Sequence, residues 1–151
     1  MTEIRFYHMT RSSLDKALPE LLEKTLQKGW RAVVWAKNND EIAEISSLLW
    51  SFKPESFLPH GTKKDGHEAE TPIWLTAKAE NPNGAQVLFV VDGRPVEAME
   101  GIDLVCDLFN GLDGEAEAAA RQRWTAYKKQ KHTLAYWKQT ENGWTTPKGI
   151  S

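Results

Sequence analysis

The sequence predicts an α/β fold with a parallel sheet core, and three observations lead there. Over residues 4–52, short apolar segments of strand type alternate with amphipathic segments of helix type. That is the order of a βαβ unit. The connections are short, so successive strands run parallel with a helix crossing between them. The 151 residues, 40% hydrophobic and 26% charged, suffice for one domain whose core needs neither disulfide nor metal.

Ile4-Arg5-Phe6-Tyr7-His8 alternates and reads as the first strand. Thr10, Ser12 or Ser13 can cap a helix from Leu14 to Lys28, with Leu14, Leu18, Leu21, Leu22 and Leu26 on one face and Gly29 as its stop. Residues 31–36 form a strand of buried type. Asn39 or Asp40 caps a second helix reaching Phe52, which turns Ile42, Ile45, Leu48 and Leu49 inward. Pro54 and Pro59 exclude a regular element over 53–60, and the polar run 61–70 reads as a surface loop.

Residues 72–75 form a short strand, and 79–85 a turn signalled by Asn-Pro and Asn-Gly. A buried strand follows at 86–91, closed by Asp92-Gly93. The apolar run 102–109, between Gly101 and Gly111, favours another strand. Asp113 or Gly114 opens a helix from Glu115 to Lys131, and Thr133 to Lys138 is a final strand or extended segment. The domain is expected to span 1–138, with 139–151 as a C-terminal tail. There is no internal repeat and no low-complexity segment.

A βαβ start invites a nucleotide-binding reading, but the first strand-to-helix connection, residues 8–13, contains no glycine. Neither G-x-G-x-x-G nor G-x-x-x-x-G-K-[ST] occurs anywhere, so the backbone has no loop with which to cradle a phosphate. His8, His60, His67, His132 and Cys106 show no metal-ligand spacing and read as surface or singly hydrogen-bonded groups. Cys106 lies in an apolar run, without a neighbouring cation to activate it, and reads as a small buried hydrophobe. The acids are dispersed over positions expected to face solvent, and no G-x-S-x-G is present. An enzyme has little to stand on, and no cofactor is implied. One cysteine, the absence of a long apolar run and a first strand without a signal peptide before it lead to the expectation of a soluble, cytoplasmic protein.

Charge is distributed unevenly. Residues 118–151 carry seven Lys and Arg against one acid, a local +6, which leaves −8 on residues 1–117 for the overall −2. A basic segment with aromatics in an otherwise acidic chain suggests a docking site for an anionic partner with apolar side chains. At 100° per residue, Arg121, Thr125 and Lys128 share one helical stripe, flanked by Trp124 and Lys131, while Ala116, Ala120 and Tyr127 turn inward. The bland alternative places Trp124 and Tyr127 in the core and leaves Arg121 and Lys128 as ordinary solvated charges. A second apolar surface is Leu49 to His60, where Trp50 points away from the inward residues of its helix and Phe57 lies in an irregular segment. It reads either as a protein-binding patch or as a loop folding its aromatics back as a lid.

Two motifs carry a resemblance. The segment Leu49-Trp50…Pro54-Glu55-Ser56-Phe57-Leu58-Pro59-His60 has the form L-W-x-x-x-P-x-S-F-[LV]-P-H, and Ala120 to Lys128 the form A-R-x-R-[YW]-x-A-Y-[KR]. With the strand ending Phe6-Tyr7, they make the chain resemble the chi subunit family of bacterial DNA polymerase III holoenzyme, the HolC family, over nearly its whole length. The resemblance implies a single-domain Rossmann-like three-layer fold with a mostly parallel central sheet that lacks a phosphate-binding loop. It implies a non-catalytic clamp-loader accessory subunit bridging the psi subunit and the acidic C-terminal tail of single-stranded-DNA-binding protein, which ends Ile-Pro-Phe. Carried over by position, the psi-facing residues are Trp50, Pro54, Phe57 and Pro59. The tail-facing residues are Arg121, Trp124, Thr125 and Lys128, with Thr133 and Leu134 completing the pocket wall. Thr125 stands where family members carry a basic residue, and Lys129 and Lys131 lie near enough to compensate. Nucleic acid is then contacted only indirectly. The competing reading is direct single-stranded nucleic-acid binding by the same basic aromatic helix.

Overall fold

The computed structural model describes residues 3–9, 14–51, 60–62, 71–78, 80–81, 83–91, 96, 102–130, 132–140 and 143–145. Their elements, in chain order, are β1 (Glu3–Met9), α1 (Leu14–Gln27), β2 (Ala32–Trp35), α2 (Asn39–Ser51), β3 (His60–Gly61), β4 (Ile73–Thr76), β5 (Val87–Val90), β6 (Leu104–Asn110), α3 (Gly114–Lys129), β7 (Thr133–Thr140) and β8 (Gly143–Thr145). The eight strands form one sheet in the order β3-β4-β2-β5-β6-β1-β7-β8. Every pairing is parallel except β7 with β8. This is the α/β architecture with a mostly parallel central sheet that the alternating elements predict.

The sheet is covered on both faces, which is why its central strands read as unbroken apolar runs. All four residues of β2, β4 and β5 are buried. Side chains alternate between faces along each strand. Ala32, Val34, Ile73, Phe89 and Leu108 meet Leu18, Leu22, Ile45 and Leu49 of α1 and α2. Val33, Leu88, Val105 and Phe6 meet Ala120 and Tyr127 of α3 on the opposite face. Two apolar layers therefore flank the sheet, and α3 lies alone against one of them among the described helices.

Local chemistry sets the helix ends. At Gly29, with φ +78°, Trp30 N–H reaches the Thr25 carbonyl at 3.2 Å and Gly29 N–H that of Leu26 at 2.9 Å, a Schellman stop for α1. The cap of α2 falls one residue earlier than Asn39. Asn38 Oδ1 accepts from Glu41 N–H and Glu41 Oε1 accepts from Lys37 N–H, both at 2.9 Å. Asp113 caps α3, accepting from Glu115 N–H at 3.0 Å and Ala116 N–H at 3.4 Å.

Three expectations are corrected. His60 and Gly61, assigned to irregular chain, form a two-residue edge strand on β4; prolines restrict the residues before them but not the pair itself. The last strand, expected to end at Lys138, runs to Thr140 and folds back antiparallel onto β8, pairing Lys138 with Thr145 and Thr140 with Gly143. Finally, not every acid faces solvent. Asp107 is 1% exposed, and Arg123 of α3 donates to it from Nε at 2.7 Å and Nη2 at 2.9 Å.

Candidate functional site

A cleft of about 530 Å³ opens between α3 and the β1, β6 and β7 region of the sheet. Phe6 of β1, Phe109 of β6 and Tyr136 of β7 supply its aromatic floor, and Trp124 of α3 its wall. The rings meet edge to face, Phe6 to Trp124 at 5.4 Å and 66°, Trp124 to Tyr136 at 6.2 Å and 82°. Aromatic pairs prefer that arrangement because the positive ring edge meets the negative face. At the rim stand Arg121, Glu117 and Thr125 of α3 and Lys138 of β7.

The parallel register builds the floor. Phe6 lies opposite Tyr136 across β1 and β7, and β1 is paired on its other side with β6. Beside the floor, on the face of β1 that carries Phe6, His8 Nδ1 and the Tyr136 hydroxyl are hydrogen-bonded, and the His8 ring packs 4.9 Å from that of Phe109. Gly111 leaves room for this imidazole, since a Cβ there would fall 1.8 Å from His8 Cδ2. The Tyr136 hydroxyl is held above its ordinary pKa, by burial first and then by the Glu117 carboxylate, against the opposing pull of Arg121.

The helix is fixed in height and rotation by two buried contacts. One is the Arg123–Asp107 pair; the other is the Tyr127 hydroxyl, which accepts from Val96 N–H at 2.8 Å. With Arg123 and Tyr127 turned to the sheet, Arg121 and Thr125 turn outward and Trp124 falls between, half-buried. The Arg121 side chain is 79% exposed and donates from Nη2 to Glu117 Oε1 at 2.9 Å, one turn back on α3. Thr125 Oγ1 donates to the Arg121 carbonyl at 3.1 Å. A cationic rim over an aromatic floor suits a ligand with a carboxylate beside an apolar group.

Of the tail-facing residues named from sequence, Arg121, Trp124 and Thr125 meet in this cleft. Lys128 is exposed on α3, Thr133 is exposed at the start of β7, and Leu134 packs against the apolar layer under α3; none of these three is among the lining residues. Phe6, Phe109, Glu117, Tyr136 and Lys138 line the cleft without having been singled out. A signal existed for two of them: period two along β7 puts Tyr136 and Lys138 on the face of Leu134. Lys138 is the lysine among the lining residues; Lys129 is exposed on α3, and Lys131 lies outside the described residues.

Trp50 belongs to the last turn of α2, on the opposite side of the sheet from α3. Pro54, Phe57 and Pro59 lie outside the described residues. Cys106 is buried and its thiol is pushed up to about 12, chiefly by burial, which makes it inert at neutral pH. His8 is buried and hydrogen-bonded to the Tyr136 hydroxyl, and His60 Nε2 lies 3.2 Å from Ser46 Oγ. Among the described residues no three of His, Cys, Asp and Glu gather as a metal site, and no helix is long and apolar enough to cross a membrane.

Comparison with known proteins gives one consistent answer. A family model described as DNA polymerase III chi subunit, HolC, matches residues 1–135. A probable DNA polymerase III subunit chi of Rickettsia prowazekii is 30% identical over 91 residues, 60% of this chain and 55% of the relative. The DNA polymerase III subunit chi of Pseudomonas aeruginosa is 28% identical over 78 residues, 50% of this chain and 54% of the relative. The chain thus spans about half the length of the curated relatives it matches.

Proposed function

The chain belongs to the DNA polymerase III chi-subunit family, and from that premise we propose that it is a non-catalytic accessory subunit of the clamp-loader complex. In this reading it acts in the cytoplasm during DNA replication. It bridges the psi subunit and the acidic C-terminal tail of single-stranded-DNA-binding protein. The observation that carries the reading is one cleft lined both by Arg121 and by the aromatic side chains of Phe6, Phe109, Tyr136 and Trp124. The last residue of the tail would offer a ring to that floor and its α-carboxylate to Arg121. Psi would engage a separate surface, at Trp50, Pro54, Phe57 and Pro59; of these Trp50 belongs to α2, which packs on the face of the sheet opposite α3. The two partners then dock without competing.

A short disordered tail loses conformational entropy on binding, so an affinity on the order of micromolar is expected. The test is titration, at low salt, of a peptide ending Asp-Ile-Pro-Phe. Saturable binding that disappears in Arg121→Ala supports the reading, and absence of binding by the unaltered chain refutes it. Single-stranded DNA is the control: a gel shift by the isolated chain would favour direct nucleic-acid binding instead. For psi, Phe57→Ala should abolish co-purification while leaving peptide binding unchanged.

A further inference from the structure

The cleft contains its own carboxylate. Glu117 lines it together with Arg121, and the two are joined by one hydrogen bond of 2.9 Å. Their exposures differ: the Glu117 side chain is 32% exposed and that of Arg121 79%. Of the two rim residues Glu117 is thus the more covered, and Arg121 extends further into solvent. The carboxylate also acts on the floor, because its charge contributes to raising the Tyr136 hydroxyl on β7. Counted by formal charge, the lining holds two cations, Arg121 and Lys138, against this one anion.

We propose that Glu117 occupies the place of a ligand carboxylate in the empty cleft, and that binding proceeds by exchange of Arg121 from Glu117 to the ligand. The inference rests on the carboxylate-docking reading above. Glu117 engages a single N–H of a guanidinium that can present two in parallel to a free carboxylate. A terminal carboxylate gains the two-point contact and displaces the one-point contact. Once displaced, Glu117 remains in the cleft lining as a negative charge close to the incoming anion. Both effects lower affinity, and both select for ligands that place one carboxylate on Arg121 over ligands that press several acids into the cleft. Glu117 is thus a specificity-determining residue, setting how acidic a peptide the cleft accepts.

The experiment measures binding of the Asp-Ile-Pro-Phe peptide, as the free acid and as the C-terminal amide, to the unaltered chain, to Glu117→Gln and to Glu115→Gln. Glu115 is exposed in the same first turn of α3 but does not line the cleft, so it reports any general effect of removing one negative charge. Exposed pairs of this kind are weak, so Glu117→Gln should bind the free acid roughly two- to tenfold more tightly. It should leave the amide unchanged, and Glu115→Gln should stay within about twofold of the unaltered chain for both peptides. Free-acid binding that is equal or weaker in Glu117→Gln overturns the exchange while leaving carboxylate docking intact. Binding by none of the three proteins overturns docking itself, and the exchange with it.

Discussion

Arg123 on α3 and Asp107 on β6 form a two-point ion pair closed off from water, with side chains 7% and 2% exposed. It ties the helix that carries the cleft wall to the strand that carries Phe109. A buried pair stabilises little overall, because desolvation offsets its attraction, but removing one partner strands the other charge. Arg123→Ala and Asp107→Ala should each lower unfolding free energy by about 3–5 kcal/mol, read by urea denaturation. The double replacement Asp107→Leu/Arg123→Met should recover most of that loss. If either single variant unfolds like the unaltered chain, the pair does not hold α3 in place.

Gly111 provides a second test, of the floor instead of the wall. Its φ is ordinary, so the constraint is space: the ideal Cβ would sit 1.8 Å from His8 Cδ2 and 2.9 Å from the Met9 carbonyl oxygen. The imidazole would have to move, and with it the Tyr136 ring it is bonded to. Gly111→Ala should cost about 1–3 kcal/mol and weaken peptide binding together with stability. Gly114→Ala, at an open position on the first turn of α3, should be neutral or slightly stabilising. Equal midpoints for the two variants in denaturant would remove the steric explanation.

Trp124 and Lys128 separate lining from mere proximity. They lie one turn apart on α3, yet only Trp124 contributes to the cleft. Trp124→Ala should reduce peptide affinity by more than about tenfold, as loss of a buried aromatic anchor does. Lys128→Ala should change it by less than about threefold, the effect of a solvated charge outside the pocket. Calorimetric titration of the folded variants reads both, and reversal of the ranking would move the docking surface along the helix.

Alkaline pH should reveal the buried acids of the core. Cys106 titrates near 9 in the unfolded chain and near 12 in the fold, so above pH 9 the unfolded state releases a proton that the native state keeps. Stability therefore falls as pH rises from about 9 to 12, by up to about 1.4 kcal/mol per pH unit for this group. Tyr7 is displaced in the same direction by burial and adds to the slope. Cys106→Ala should flatten the profile over that window. At pH 8 the native thiol should resist iodoacetamide until denaturant is added, and prompt alkylation would contradict its burial.

Legibility in the sequence followed the range of the interactions. Helix and strand periods, the Gly29 stop and the Asp113 cap are encoded by residues close in the chain, and each has its counterpart in the fold. The cleft was half legible for the same reason. Arg121, Trp124 and Thr125 are neighbours on one helix, so a helical wheel brings them together, and the wheel also turns Ala120 and Tyr127 inward. Phe6, Phe109 and Tyr136 come from three strands whose adjacency depends on strand order, which no local pattern specifies. Asp107 and Arg123 were opaque because each reads as a solvated charge until the partner on another element is known.

The register that sets Phe6 beside Tyr136 joins positions 130 residues apart across β1 and β7. Phe6 is therefore synthesised long before Tyr136 and Lys138 exist to complete the lining with it. Contacts of such long sequence separation also form late and slowly, since the intervening loop must close first. The cleft is consequently complete only once β1 and β7 have paired, so its lining assembles with the closing of the sheet and not before it.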